Sequence, residues 1–199
     1  MDQLNRSRIA LGVSVLLLFA IVTSVIFPIE HASAKPSVTI MGSNLTGGTI
    51  TFQALTPITL NGEQQTSTAS WPIANVIDAR GNGSGWNVSV TLTPFAEYDT
   101  NTANYVRGGK TLASSSLVVS SAPTIALADS TSSTVSGMTV VSTNTAIDTG
   151  VPIKIASAPA IKGMGSYTFT VLGVTLTIPA NTYAATYRSN ATVTLSSGP

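Results

Sequence analysis

The chain has 199 residues, nine Lys and Arg against eight Asp and Glu, a formal net charge of +1, one His and no Cys. Sparse charge with no basic stripe excludes the electrostatic footprint of a nucleic-acid binder or of a protein held to an anionic membrane surface. Without Cys there are no disulfides, so a packed core must supply the stability.

Arg6 and Arg8 precede an apolar run at 9–27, then Pro28 and Ala32-Ser33-Ala34. That order is a secretory signal peptide over 1–34, cleaved after Ala34. The run is nearly long enough to span a bilayer, so an uncleaved anchor is the alternative. Residues 35–199 are then one domain outside the membrane, touching it only through an uncleaved leader. His31 falls before the cleavage point, which leaves the mature chain without a Ser-His-Asp or Cys-His site or the usual zinc ligands. No metal, cofactor or nucleic-acid partner is expected.

Strand-length segments with apolar alternation follow at 37–41, 49–55, 73–78, 86–95, 111–119, 124–128, 138–141, 152–155, 166–172, 175–179 and 187–195. Gly-Gly, Asn-Gly and other glycine-rich turns punctuate them, and no 3.6-residue period appears after the leader. The fold expected is all-β, an antiparallel β-sandwich with Greek-key-like connections. Parity places Trp86, Val88, Val90, Leu92, Tyr167, Phe169, Val171, Val193 and Leu195 in the core. Trp71, just before Pro72, lacks such neighbours and is expected exposed or half-exposed. The stretch 130–134 reads as a hydroxyl-rich loop.

Asp78 and Arg80 sit two apart beside a turn containing Gly81, Gly83 and Gly85, which reads as a structural ion pair fixing that turn. The polar insert at 97–110 is an ordinary solvated loop or a binding loop. In the second case Tyr98, Asn101, Tyr105 and Arg107 are the candidate ligand-binding residues, since aromatic rings, amides and a guanidinium suit a saccharide or a peptide stem. Asp99-Thr100-Asn101 begins like a calcium loop but lacks the glycine and the distal glutamate. A glycosidase would need two carboxylates across a cleft, with Glu97 and Asp99 the closest in sequence. Nothing else carries a catalytic signature, so no enzyme is expected.

The last segment, with Tyr187, Thr192, Leu195 and Pro199 at fixed spacing, resembles the C-terminal signature of WxL-domain proteins. Asp78, Arg80, Gly81, Gly85 and Trp86 resemble the family's other turn, in which Trp-x-Leu follows Asp-x-Arg-Gly. Here the first triplet is Trp86-Asn87-Val88, Val193 stands where the second tryptophan falls, and Ala191 replaces a bulkier aliphatic residue. The resemblance implies a secreted, extracellular β-module that attaches noncovalently to the peptidoglycan, or another cell-wall polymer, of Gram-positive bacteria, often beside other surface proteins. A structural subunit of a surface layer or filament, assembling by β-strand packing, is the competing function, because few charges guard the strand edges.

Overall fold

The computed structural model describes residues 38–199. The leader expected at 1–34, and His31 within it, lie outside the described residues. The described chain forms β1 (Leu45–Gly47), β2 (Gln65–Trp71), β3 (Val76–Asp78), β4 (Trp86–Leu92), β5 (Ala96–Asp99), β6 (Asn104–Tyr105) and β7 (Leu117–Ser121). Then come β8 (Ile125–Leu127), β9 (Thr139–Val140), β10 (Ile153–Ala158), β11 (Gly165–Phe169), β12 (Leu172–Ile178), β13 (Tyr187–Arg188) and β14 (Ala191–Ser197). Every ladder is antiparallel, as the all-β reading requires.

One layer is the sheet β14-β4-β10-β9, and the facing layer is made of two sheets, β1-β3-β11-β8 and β2-β12-β7. These two are halves of one long ribbon. The same register runs from Gln65 opposite Ile178 to Asp78 opposite Gly165 without a slip. The pairing between them lapses where 72–75 faces 168–171, and Pro72 there has no N–H to give the ladder. Inward parity changes in step across the break. Trp71 and Leu172 face in on one side of it, Val76 and Tyr167 on the other.

That break overturns two expectations. Val171 is 46% exposed because the alternation beginning at Tyr167 ends before it, and Leu172 takes the inward place. Trp71 is only 3% exposed: its ring closes the core at the end of β2, its Nε1–H donates to the Gln53 carbonyl at 2.9 Å, and Phe52 packs edge-on at 4.9 Å. The other inward positions hold as read, with Trp86, Val88, Val90, Leu92 and Tyr167 buried and Phe169, Val193 and Leu195 half-buried.

Strand β4 spans both cores with one face. Val90 and Leu92 join Trp71, Leu117, Ile155, Leu172 and Val174 in the larger core, whereas Trp86 and Val88 join Val76, Ala158 and Tyr167 in the smaller. A second long ribbon starts there. Strand β14 pairs with β4 from Trp86 opposite Ser197 to Leu92 opposite Ala191, and past Pro94 the register slips so that Glu97 faces Tyr187. The slip is clamped by Thr93 N–H to the Asn190 carbonyl at 3.0 Å and by the Ser189 hydroxyl to the Thr93 carbonyl at 2.6 Å. Beyond this bulge the ribbon leaves the sandwich as the three-stranded sheet β13-β5-β6.

Candidate functional site

Two places collect the residues singled out in the sequence. The first is the junction of the two motif segments. The Arg80 guanidinium grips Asp78 with Nε to Oδ1 and Nη2 to Oδ2, both 2.8 Å, while Nη2 also reaches the Gly85 carbonyl at 2.6 Å and Nη1 the Ser197 hydroxyl. Asp78 is almost fully buried, so this fork neutralises a charge that burial alone would disfavour. The bond to Arg80 holds the Asp78 carboxyl below its ordinary value of 3.8 against the opposing effect of burial. Asn87 Nδ2 adds a bond to the Gly198 carbonyl at 2.9 Å. The turn before Trp86 and the end of β14, distant in sequence, are thereby tied together.

Gly85 and Gly163 make room for Trp86. Gly85 has φ +73°, and a Cβ there would meet the Ala158 carbonyl oxygen at 2.4 Å. Gly163 has φ +80°, its carbonyl accepts the Trp86 indole N–H at 3.0 Å, and a Cβ on it would strike that indole. Gly81, by contrast, has φ +69° and open space around it, so it serves the turn alone. Trp86 is therefore a structural anchor. On β14, Thr192 is exposed, Leu195 is half-buried against the smaller core, and Pro199 follows the strand. Val193, at the place of the family's second tryptophan, sits opposite Val90 and touches both cores.

The second place is the far end of the β4–β14 ribbon. The insert expected as a loop at 97–110 contains the β5–β6 hairpin, with Tyr98 opposite Tyr105. Their rings meet edge to face at 5.4 Å. Arg188 lies over the Tyr98 ring at 4.1 Å, and the Tyr105 hydroxyl donates to Asn190 Oδ1 at 2.9 Å. The tip is an Asx turn in which Asp99 accepts the Asn101 N–H at 2.8 Å and the Thr102 hydroxyl at 3.0 Å, and Ala103 takes φ +53°. Asn101 is exposed at the tip of this hairpin and Arg107 is exposed in the turn after β6, so three of the four candidates share the hairpin and the fourth follows it directly.

Beside the hairpin the segment 182–191 separates two open depressions. The larger, about 690 Å³, is walled by Leu55–Leu60 on one side and Tyr183–Tyr187 on the other, over a floor of Phe95, Leu112, Leu176 and Ile178. The smaller, about 470 Å³, lies between Phe52–Leu55 and Thr186–Ala191. Tyr183 is 63% exposed at the rim of the larger, with Lys110 Nζ 4.5 Å from its ring centre. Tyr187 lines both depressions, its hydroxyl donates to the Tyr183 carbonyl at 3.0 Å, and burial followed by the nearby Glu97 raises its pKa. Sequence reasoning did not single out Tyr183, Lys110, Arg188 or Phe52: Tyr183, Lys110 and Phe52 come from irregular segments and Arg188 from the two-residue strand β13. Only Lys110, at the end of the 97–110 insert, carried a signal in the sequence; Phe52, Tyr183 and Arg188 are brought there by the fold.

The carboxylates are mostly engaged. Glu97 accepts the Lys110 N–H at 2.9 Å, Asp99 holds its turn, and Asp129 accepts the Thr131 N–H at 2.7 Å. Asp148 is fully buried among the loop amides of Ser115–Leu117, and neither of its oxygens reaches hydrogen-bonding geometry with them. Burial pushes its pKa above the ordinary value, and those backbone amides partly offset the push. No group of three or more Asp, Glu, His or Cys is arranged for a metal among the described residues.

No curated protein and no solved structure matches the chain. A family model described as a WxL domain, surface and cell-wall-binding, matches residues 36–199. The match spans both motif segments that Arg80 and β14 bring together, and the chain belongs to the WxL-domain family of cell-wall-binding surface domains.

Proposed function

We propose that the wall component bound is peptidoglycan, that binding is noncovalent, and that the domain does not cleave what it binds. The ligand lies in the larger depression with the β5–β6 hairpin as its rim. The observation that carries this is the exposed Tyr183 ring at the rim of an apolar-floored depression with Lys110 beside it; the hairpin with Asn101 and Tyr105 joins that wall through the Tyr187–Glu97 pairing, and Arg107 follows in the next turn. A sugar ring needs a flat apolar platform, and acetamido groups and stem carboxylates need amide and cationic partners at its edge. Tyr98 supports that rim from behind, since its ring is packed by Tyr105 and Arg188. Non-cleavage is supported by Glu97 and Asp99, the two acids of the hairpin, being committed to backbone N–H groups. Export through the 1–34 leader to the outside of the cell, beside other surface proteins, belongs to the same reading.

The test is co-sedimentation with insoluble peptidoglycan of three proteins: the wild type, Tyr183→Ala with Arg107→Ala, and Tyr98→Ala with Tyr105→Ala. The Tyr183 and Arg107 pair is exposed, so binding should weaken with the melting temperature nearly unchanged. Unaltered binding in both double variants would remove the site from this end of the ribbon.

A further inference from the structure

We propose that β14 is a docking edge for a second copy of this chain, which lays its own β14 antiparallel alongside. The sheets end in eight edge strands, and most are short: β1 and β8 have three residues each, and β6, β9 and β13 two each. The longer edges β2 and β7 are covered. Residues 53–60 run along β2, where Thr56 N–H donates to the Thr68 carbonyl at 3.3 Å and Gln65 Nε2 to the Thr59 carbonyl at 3.0 Å. Residues 144–147 close β7 through Val119 N–H to the Thr145 carbonyl at 2.9 Å and Ile147 N–H to the Leu117 carbonyl at 3.0 Å.

Seven-residue β14 is hydrogen-bonded to β4 on one side and to no strand on the other among the described residues, with β1 of the facing layer nearby but unpaired to it. The orientation of its open groups follows from its ends. Asn190 accepts from Thr93 N–H, and Gly198 N–H donates to the Gly85 carbonyl, so the even-numbered residues bond β4. Alternation then turns the N–H and C=O groups of Ala191, Val193, Leu195 and Ser197 outward. Exposed edges of this length are ordinarily guarded by Lys, Pro, a bulge or a covering loop. Residues 191–197 contain no charge and no Pro, and their ladder with β4 has no bulge.

A second copy fits this edge because each β14 offers the same neutral strand with the same unpaired parity. One twofold pairing satisfies both edges at once. Outward residues can align with Val193 opposite Val193 or opposite Leu195 of the other copy, and Thr194 then falls opposite Thr192 or opposite itself. Val193 and Leu195, half-buried in one chain, gain cover from their counterparts. With no other long edge open among the described residues, the pairing closes at two copies and does not propagate into a filament.

The test uses the chain from Lys35 onward, which contains both cores, with mass measured by light scattering and sedimentation from micromolar to millimolar concentration. The wild type should pass from monomer to dimer. Thr192→Lys with Thr194→Lys sets like charges across either register and should remain monomeric with an unchanged melt, since both side chains are exposed. Thr192→Glu with Thr194→Glu should also be monomeric, and an equimolar mixture of the Lys and Glu variants should recover the dimer. A wild type that stays monomeric throughout overturns the proposal. So does a dimer that the Lys variant leaves intact, or growth of the wild type beyond two copies.

Discussion

Replacing Arg80 with Ala removes the only cation paired with Asp78 among the described residues and leaves a carboxylate that is about 1% exposed without that counter-charge. Removing one partner of a buried pair typically costs about 3–5 kcal/mol. Arg80 itself is 13% exposed and water can partly enter the gap, which places the expected loss near the lower end, about 3 kcal/mol. For a domain of this length that is roughly 6–12 °C in Tm. Asp78→Asn with Arg80→Ala should recover much of the loss, because the cost lies in the stranded charge. The pH dependence separates the variants further. In the wild type the Asp78 pKa is lowered, so its stabilisation is present above the unfolded value near 3.8 and is lost as pH falls through the folded value. In Arg80→Ala burial still raises the Asp78 pKa and outweighs the backbone N–H of residue 80, which Ala keeps, so the deficit against wild type should shrink as pH falls. Urea unfolding across the acid range, with parallel melts, measures both. A loss below about 1 kcal/mol, or a double variant no more stable than Arg80→Ala, would refute the reasoning.

Asp148 has the opposite sign. Its folded pKa is raised, so stability should fall as pH rises above about 4 through the folded value, and Asp148→Asn should flatten that slope in urea midpoints between pH 4 and 7. Tyr167→Phe leaves the Ser133 carbonyl without its Tyr167 donor and the Met164 carbonyl with the Ser133 N–H alone, and should cost about 1 kcal/mol by denaturant unfolding. Gly163→Ala should cost more, above about 2 kcal/mol in the same assay, because φ +80° and the Trp86 indole both oppose a Cβ. Truncation before Tyr187 deletes β13 and β14 and uncovers β4, and should abolish cooperative melting followed by circular dichroism; a truncated chain with a native melt would contradict the shared core.

Alternation on a single buried face is the part of this fold that the sequence exposes. Trp86 to Leu92 is legible because every second residue meets a core, and the Asp78–Arg80 pair because its members sit two apart beside a glycine turn, at and just past the end of β3. Strand β2 is not legible, since Gln65–Trp71 offers Ser67, Ala69 and Trp71 to the core and hydroxyls elsewhere, with no apolar run to mark it. Segments 37–41 and 49–55 alternate but are not strands: the first is exposed in its described part, and the second carries one bridge, Ile50 to Ile73, before running on as cover for β2. Val171 and Trp71 were misplaced for one shared reason, the paired break at 72–75 and 168–171, where parity changes in two strands at once and no single strand's pattern reveals it. At the ribbon end, residue types pointed to the hairpin. The depression beside it required the meeting of 55–60 with 183–187, which is tertiary.

The central claim, that this WxL domain holds peptidoglycan without cleaving it, is met most directly by incubating the chain from Lys35 onward with purified insoluble peptidoglycan. Protein in the pellet and sugar released to the supernatant are measured together over time. Saturable retention in the pellet, with soluble muropeptides no higher than in a protein-free control, is the predicted result. Protein left in the supernatant, or soluble muropeptides that increase with protein and time, would contradict it.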